Sequence, residues 1–337
     1  MVFTSREIQL RSRPRGEPSD DDFATVTVEV PDPGPGQVVV ANDWLSVDPY
    51  MRGRMDDVES YISPFALGET MTGGAVGTVV ASDTPDLPTG TVVRHFLGWR
   101  EHALLDAGQV EVLDTAIAPA SAYLGVLGTT GLTAYVGLTE IARVDPGDTV
   151  FVSAASGAVG SVIPRIARHL GAKRVVGSAG GARKVRRAME DFGYDAAVDY
   201  KEGTLLEDLR LAAPDGVDVY FDNVGGTHLQ AALDVVRPNG RVALCGAVAH
   251  YNAEGRGPGP DNLYQAIKKR LTLRGFIIGD HRHLAAEYTQ LAAGWLADGS
   301  LTREETVTTG IDTAVSAFLD ILKGGNTGKT LIHLPRT

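Results

Sequence analysis

Residues Val150-Phe-Val-Ser-Ala-Ala-Ser-Gly-Ala-Val-Gly160 have the types and spacing to hold a pair of phosphates. An apolar run meets a turn of small residues, and the helical-period segment Ser161 to Leu170 follows. In the dinucleotide-binding fingerprint G-x-G-x-x-G/A, Ala155 takes the first position, Gly157 the second and Gly160 the third, with Val159 inside the turn. A small first residue permits the tight turn. The second glycine lets the backbone approach a pyrophosphate, and the third lets the new helix pack on the strand. The helix N-terminus then offers free N–H groups and a partial positive charge. A strand before and a helix after are what separate this fingerprint from a chance Gly-x-x-Gly.

The other end of such a cofactor is read further along. An Asp or Glu about 20 residues on holds the ribose 2′-OH of NAD, whereas basic residues accept the 2′-phosphate of NADP. The second strand, Arg174-Val-Val-Gly-Ser178, ends without an acid, and Ser178, Arg183 and Lys184 stand where a phosphate would sit. NADP(H) is therefore the cofactor expected. Arg186 and Arg187 read as a solvated helix face.

Other chemistries lack their residues. The single cysteine, Cys245, excludes an intrachain disulfide and fits a reducing, cytoplasmic setting. A structural zinc site needs clustered Cys or His, and the eight histidines are scattered. His281 and His283 read as surface residues, and no G-x-S-x-G nucleophile elbow is present. A net charge of −11 argues against nucleic acid or an anionic membrane as partner. No secretory signal or membrane-spanning run is visible, and 337 residues suffice for two cores.

The elements that must carry these residues form two patterns. Up to about residue 120 the chain reads as strands, at Ala24–Val30, Gln37–Ala41, Ala75–Ala81 and Thr91–Phe96, separated by Pro/Gly turns. Helical periodicity runs from Ser121 to Ala142, interrupted at Gly128-Thr-Thr-Gly131. Strands are then expected at Thr149–Ser153, Arg174–Gly177, Ala196–Asp199, Val217–Asp222, Arg241–Gly246 and Leu271–Ile278, most of them separated by helices. That alternation marks a doubly wound parallel sheet. Helices at about Leu284–Asp298 and Asp312–Lys323 and a strand at Lys329–Leu334 close the pattern.

Six segments carry a family resemblance: Leu45-Ser-Val-Asp-Pro-Tyr-Met-Arg52, Gly131-Leu-Thr-Ala-Tyr135, Tyr220-Phe-Asp-Asn-Val-Gly-Gly226, Cys245-Gly-Ala-Val-Ala-His-Tyr-Asn252, Gly275-Phe-Ile-Ile278 and Asn326-Thr-Gly-Lys-Thr330. With them the chain resembles the medium-chain dehydrogenase/reductase superfamily. Within it, the chain is similar to the zinc-independent branch of leukotriene B4 12-hydroxydehydrogenase/prostaglandin reductases, alkenal double-bond reductases and curcumin-reductase-like proteins. The resemblance implies an α/β fold: a β-rich, GroES-like catalytic domain (1–122 and 301–337) and an NADP-binding Rossmann domain (123–300). Zinc-dependent relatives carry a Gly-His-Glu motif where this chain has Gly68-Glu-Thr-Met71. Many relatives have Met-Pro where it has Thr129-Thr130.

The same resemblance implies roles. Lys184 and Tyr200 would contact the 2′-phosphate end of the cofactor. Asn223 would lie near its ribose, and Asn326 would reach it from the returning segment. The turn holding Cys245 would border it, and Phe276, Ile277 and Ile278 would set backbone groups against the nicotinamide. Tyr50, Arg52 and Tyr251 would line a substrate cleft shaped by loops at Val58–Gly68 and Ala253–Asn262. Structural readings stand beside these: Tyr50 packing a turn, Arg52 closing an ion pair, Asn223 capping a helix. The implied reaction is NADPH-dependent reduction of the C=C bond of an enone or enal without metal, Tyr251 donating to the developing enolate. Quinone reduction and non-catalytic NADPH binding are the alternatives. The β-prone Leu271–Ile278 strand, left at a sheet edge, would invite pairing with its twin in a homodimer.

Overall fold

Strands fill the first part of the chain because short apolar runs there are bracketed by Pro/Gly turns. They are β1 (Phe3–Leu10), β2 (Phe23–Val30), β3 (Gln37–Ser46), β4 (Ala75–Ser82), β5 (Val92–His95), β6 (His102–Asp106) and β7 (Glu111–Val112). One helical turn, α1 (Met51–Arg54), breaks the series. The computed structural model describes residues 2–253, 255, 257 and 259–336. Of the loop 253–262 named above, positions 254, 256 and 258 lie outside the described residues.

Helices and strands alternate from α2 (Thr129–Val136) onward. The order is β8 (Thr149–Val152), α3 (Ile163–His169), β9 (Arg174–Ala179), α4 (Ala182–Glu190), β10 (Ala196–Asp199), α5 (Leu205–Ala212), β11 (Val217–Asp222), α6 (Gly226–Val235), β12 (Val236–Leu244), α7 (Tyr264–Lys269), β13 (Thr272–Gly275) and α8 (Ala285–Ala297). The chain ends with β14 (Glu305–Thr309), α9 (Ala314–Leu322) and β15 (Lys329–His333). It separates into two compact units, residues 1–125, 305–326 and 330–337 against residues 126–304 with 327–329.

In the first unit β1 and β2 form an antiparallel ladder, and a seven-stranded sheet runs β14-β15-β3-β4-β5-β7 with β6 branching from β3. The ten residues of β3 serve two partners on one edge. Residues Gln37–Ala41 pair with β6, and Trp44–Ser46 pair with β15. Ile8, Leu45, Met51, Met55, Trp99 and Phe318 meet in one core, and Val38, Val40, Val79 and Val93 in another. His95 is buried between polar partners. Its Nδ1 accepts from the Leu97 N–H at 3.1 Å, so the proton sits on Nε2, which donates to Asn42 Oδ1 at 2.8 Å. Burial, reinforced by the Arg100 charge, pushes the imidazole down to about 3.

The second unit holds a six-stranded parallel sheet ordered β10-β9-β8-β11-β12-β13, the doubly wound order of Rossmann folds. The helical stretch 121–142 differs from expectation. Gly128-Thr-Thr-Gly131 does not interrupt a helix but starts one, since α2 opens at Thr129. Gly131 sits inside that helix because a Cβ there would meet the Val126 carbonyl at 2.1 Å and the Tyr288 hydroxyl at 2.3 Å. That hydroxyl donates to the same Val126 carbonyl at 2.7 Å. One element is trimmed: the expected strand 271–278 pairs only over Thr272–Gly275, and 3₁₀ turns carrying His281 and His283 follow from Ile278.

Candidate cofactor and active site

The strand order of the second unit reverses between β8 and β11, and the crevice beyond the carboxyl ends of those strands is where this architecture binds ligands. After β8 the chain turns through Ala154, which is left-handed at φ 52°. A non-glycine residue held there stores strain of the kind that clusters at functional sites. The strained turn explains both glycines. A Cβ at Gly160 would lie 2.3 Å from the Ala154 carbonyl, and one at Gly157 would lie 3.2 Å from it. Ala155 is fully buried, and its N–H donates to Ser178 O at 2.9 Å, tying the turn to β9. Val159, half-exposed, leads into a single 3₁₀ turn, Gly160–Val162, that continues as α3.

Gly157 has a second neighbour. It pairs with Gly328 in a parallel bridge, and the Gly328 N–H donates to Ser156 O at 2.8 Å. The close backbone approach expected at this glycine is thus made, in part, by the chain's own returning segment. Asn326 lies two residues before Gly328 on that segment.

At the end of β11 sits Asp222, 1% exposed, which the motif reading passed over. Its Oδ1 accepts from Tyr220 Oη at 2.7 Å, Ser153 Oγ at 3.2 Å, and the N–H groups of Val224 at 2.9 Å and Gly225 at 2.8 Å. Four donors on one oxygen lock both sides of the switch point together. Asn223 follows. Its N–H donates to Ser153 Oγ at 2.9 Å and its side-chain amide to Ser153 O at 2.8 Å, so it bridges the ends of β8 and β11 rather than capping α6. The Asp222 carbonyl accepts from Cys245 at 2.8 Å and Gly246 at 3.0 Å. Burial, with Asp222 adding to it, pushes the Cys245 thiol up to about 12, which disfavours the thiolate. Tyr251 faces this corner: a Cβ on Gly246 would stand 3.7 Å from the Tyr251 hydroxyl and 3.1 Å from Asn223 O. Phe276 packs edge-on against Phe221 at 6.4 Å beyond β13, with Ile277 exposed and Ile278 half-buried after it.

The adenosine end corrects one expectation. Ser178 does not face outward. Because β9 runs on through Ala179, Ser178 is still inside the sheet and is 0% exposed, its hydroxyl buried without an acceptor. The strand end itself is marked by Gly180. A Cβ there would lie 2.8 Å from the Tyr200 hydroxyl and 3.0 Å from Lys201 Cε, so both side chains fold over the end of β9. Lys184 lies half-buried in the first turn of α4. The acid on the neighbouring strand, Asp199, registers with Ala179 and already holds backbone donors on one oxygen. Its Oδ1 accepts from Gly181 N at 2.8 Å and Lys201 N at 3.1 Å. Arg187 is not simply solvated: it pairs with Asp191 at 2.6 Å and Glu304 at 2.8 Å. The strained glycine turn, the Tyr200 hydroxyl and Lys201 over the end of β9, and an Asp199 oxygen already taken by two backbone N–H groups fit a dinucleotide whose 2′ position is a phosphate rather than a hydroxyl.

The first unit holds Tyr50 and Arg52 around α1. Arg52 is corrected as a cleft-lining side chain. It is 2% exposed, donates twice to Gly16 O at 2.8 and 3.3 Å, and pairs with Asp56 at 2.9 Å. Its place is structural, the alternative weighed above. Tyr50 is half-buried against the core, and burial, with Asp48 adding to it, raises its hydroxyl above the usual range.

A family model described as the N-terminal domain of oxidoreductase matches residues 6–113, and one described as zinc-binding dehydrogenase matches residues 158–297. The NADPH-dependent curcumin reductase of Escherichia coli (strain K12) is 39% identical over 98% of this chain and 97% of its own length. The chain belongs to the zinc-independent reductase branch of the medium-chain dehydrogenase/reductase superfamily. The NADP(+)-dependent 2-alkenal reductase of Nicotiana tabacum is 38% identical over 99% of this chain and 98% of its own. Among solved structures, CurA from Vibrio vulnificus in complex with NADPH matches with a TM-score of 0.93 at 37% identity, covering 98% of this chain and all of that one. Among the described residues no group of three or more His, Cys, Asp or Glu is placed to hold a metal ion. No helix there is long and apolar enough to cross a membrane.

Proposed function

We propose that the protein reduces the carbon–carbon double bond of α,β-unsaturated ketones and aldehydes with NADPH. The observation that carries this reading is the Tyr251 hydroxyl at the switch point, beside Gly246 and Asn223. Near-full-length similarity to a curcumin reductase and a 2-alkenal reductase supports it. Ala155, Gly157, Val159 and Gly160 would hold the pyrophosphate, Lys184 and Tyr200 the 2′-phosphate, and Asn223, Cys245, Phe276–Ile278 and Asn326 the nicotinamide half. Bound, NADPH supplies the hydride that adds to the electrophilic β-carbon. Negative charge then builds on the substrate's carbonyl oxygen, and hydrogen-bond donors suffice to stabilise it. Tyr251 donates there and protonates the α-carbon directly or through water. In this reading Tyr50 is a substrate-contacting residue.

The test is NADPH oxidation over enals, enones, aryl enones and quinones. Turnover of enones above quinones supports the reading. Turnover of quinones alone replaces it with quinone reduction, and NADPH binding without turnover replaces it with a binding role.

We further propose a homodimer through β13. That strand pairs with β12 on one side only, and its Thr272, Arg274 and Gly275 are exposed. Leu263, Tyr264, Ile267 and Ile277 add 54, 71, 74 and 37% exposed apolar side chains close to it in sequence.

A further inference from the structure

Arg54, the last residue of α1, is 8% exposed, yet among the described residues no carboxylate lies within ion-pairing distance of it. Buried charges are ordinarily paired, because an isolated one keeps most of its desolvation penalty. Arg54 is held instead by neutral groups. Its Nε donates to Ser63 O at 2.9 Å and an Nη to Thr72 O at 3.0 Å. The guanidinium lies over the Phe65 ring, 3.9 Å from the centroid, and 5.9 Å from that of Phe96. These contacts fix the position of the cation but do not neutralise it. Tyr50 lies four residues earlier, across the single turn of α1 and on the same helical face, where the Arg54 charge and the phenol act on each other. Asp48 flanks Tyr50 on its other side, and Tyr61 is the other phenol near both. Burial lowers the Arg54 guanidinium, so the site sustains its charge at a cost.

We infer that Arg54 is a positioning residue for Tyr50: an unpaired buried cation that orients the phenol and strengthens it as a hydrogen-bond donor to the oxygen of the substrate. Its slight exposure argues against direct contact with substrate, so its effect passes through the hydroxyl. Phenols donate more strongly when neighbouring positive charge stabilises electron density drawn onto their oxygen, and a low-dielectric setting enlarges the effect. The proposal rests on the enone-reductase reading, in which Tyr50 faces substrate.

Five proteins test it: wild type, Tyr50→Phe, Arg54→Gln, Arg54→Lys, and Tyr50→Phe with Arg54→Gln. Benzylideneacetone serves as the enone, and NADPH affinity is titrated separately by its fluorescence. Tyr50→Phe and Arg54→Gln should each lower kcat by roughly 10-fold, in the range of losing one donor, with KM within about twofold. The double variant should be no slower than Tyr50→Phe alone, because residues acting as one unit are not additive. Arg54→Lys should regain most of the rate, and NADPH affinity should be the same in all five. Losses that multiply in the double variant, or wild-type kcat in Arg54→Gln, overturn the proposal. So does an equal loss in Arg54→Lys and Arg54→Gln that tracks a lowered melting temperature. If Tyr50→Phe keeps full kcat while the wild type reduces the enone, the Arg54 link fails and the reaction stands. A wild type that does not turn over any enone removes both.

Discussion

Tyr251 carries the chemistry proposed at the smallest scale. Its hydroxyl faces the Gly246–Asn223 corner. Tyr251→Phe should lower kcat for enones by roughly 10- to 1000-fold, as for removal of one donor to a developing oxyanion. NADPH affinity should be nearly unchanged, since the ring remains. Stopped-flow turnover with a parallel binding titration separates the two, and a Phe variant at wild-type rate returns Tyr251 to packing. Lys184 governs cofactor choice. NADPH should bind at least tenfold more tightly than NADH, about 1.4 kcal/mol. Lys184→Ala should erase most of that difference, and equal affinities in the wild type would falsify the assignment. Residue types marked Gly157, Gly160 and Lys184 in the sequence because the fingerprint names them. Three facts were not legible there. Ser178 points inward because β9 continues one residue further, Asp199 Oδ1 accepts from the Gly181 amide, and Arg54 is buried with no counterion among the described residues. Each depends on pleat or packing, which neighbouring letters do not encode.

At the scale of elements, β13 is the exposed edge of the parallel sheet. A long unpaired edge is a template for pairing, and a two-fold axis through it closes the sheet on itself. Light scattering at micromolar concentration should give the mass of a dimer, and Ile267→Glu with Tyr264→Glu should shift it toward monomer. A monomeric wild type refutes the interface. Strands β10 and β11 match their expected bounds to the residue, since each is a short apolar or small-residue run closed by an aspartate. β1 escaped notice because charged residues interrupt its pattern. Glu7 is 5% exposed inside it, accepting from the Thr70 hydroxyl with Arg100 at 3.9 Å. The start of α2 differs for a related reason: two threonines and two glycines read as a break, yet Gly131 lets Tyr288 dock.

For the molecule as a whole, acid is the predicted weakness. His95 is held neutral, its folded value about 3 against 6.5 for an ordinary histidine. Between those values the unfolded chain binds the extra proton, so stability is full above about pH 6.5 and falls as pH drops toward 3. This one group should weaken the folding equilibrium by about tenfold per pH unit within the window. Urea denaturation at pH 7 and pH 4.5 should show the loss, and His95→Gln, whose amide can keep both hydrogen bonds, should show less of it. Identical pH slopes in the two proteins would rule His95 out as the cause.

The place of β15 has a consequence for how the protein is made. It lies between β14 and β3, and it supplies the partner for Trp44–Ser46. During synthesis β3 therefore leaves the ribosome nearly three hundred residues ahead of the β15 strand that completes its edge. The parallel sheet draws its strands from residues 149–275 alone and has everything it needs much sooner. Maturation should run from the middle of the chain outward, against the usual N-terminal-first order. Until β15 emerges, half an edge of β3 stays open to chaperones and to other nascent chains. A ribosome that stops short of Lys329 would thus leave a sound nucleotide-binding sheet tethered to an unfinished one.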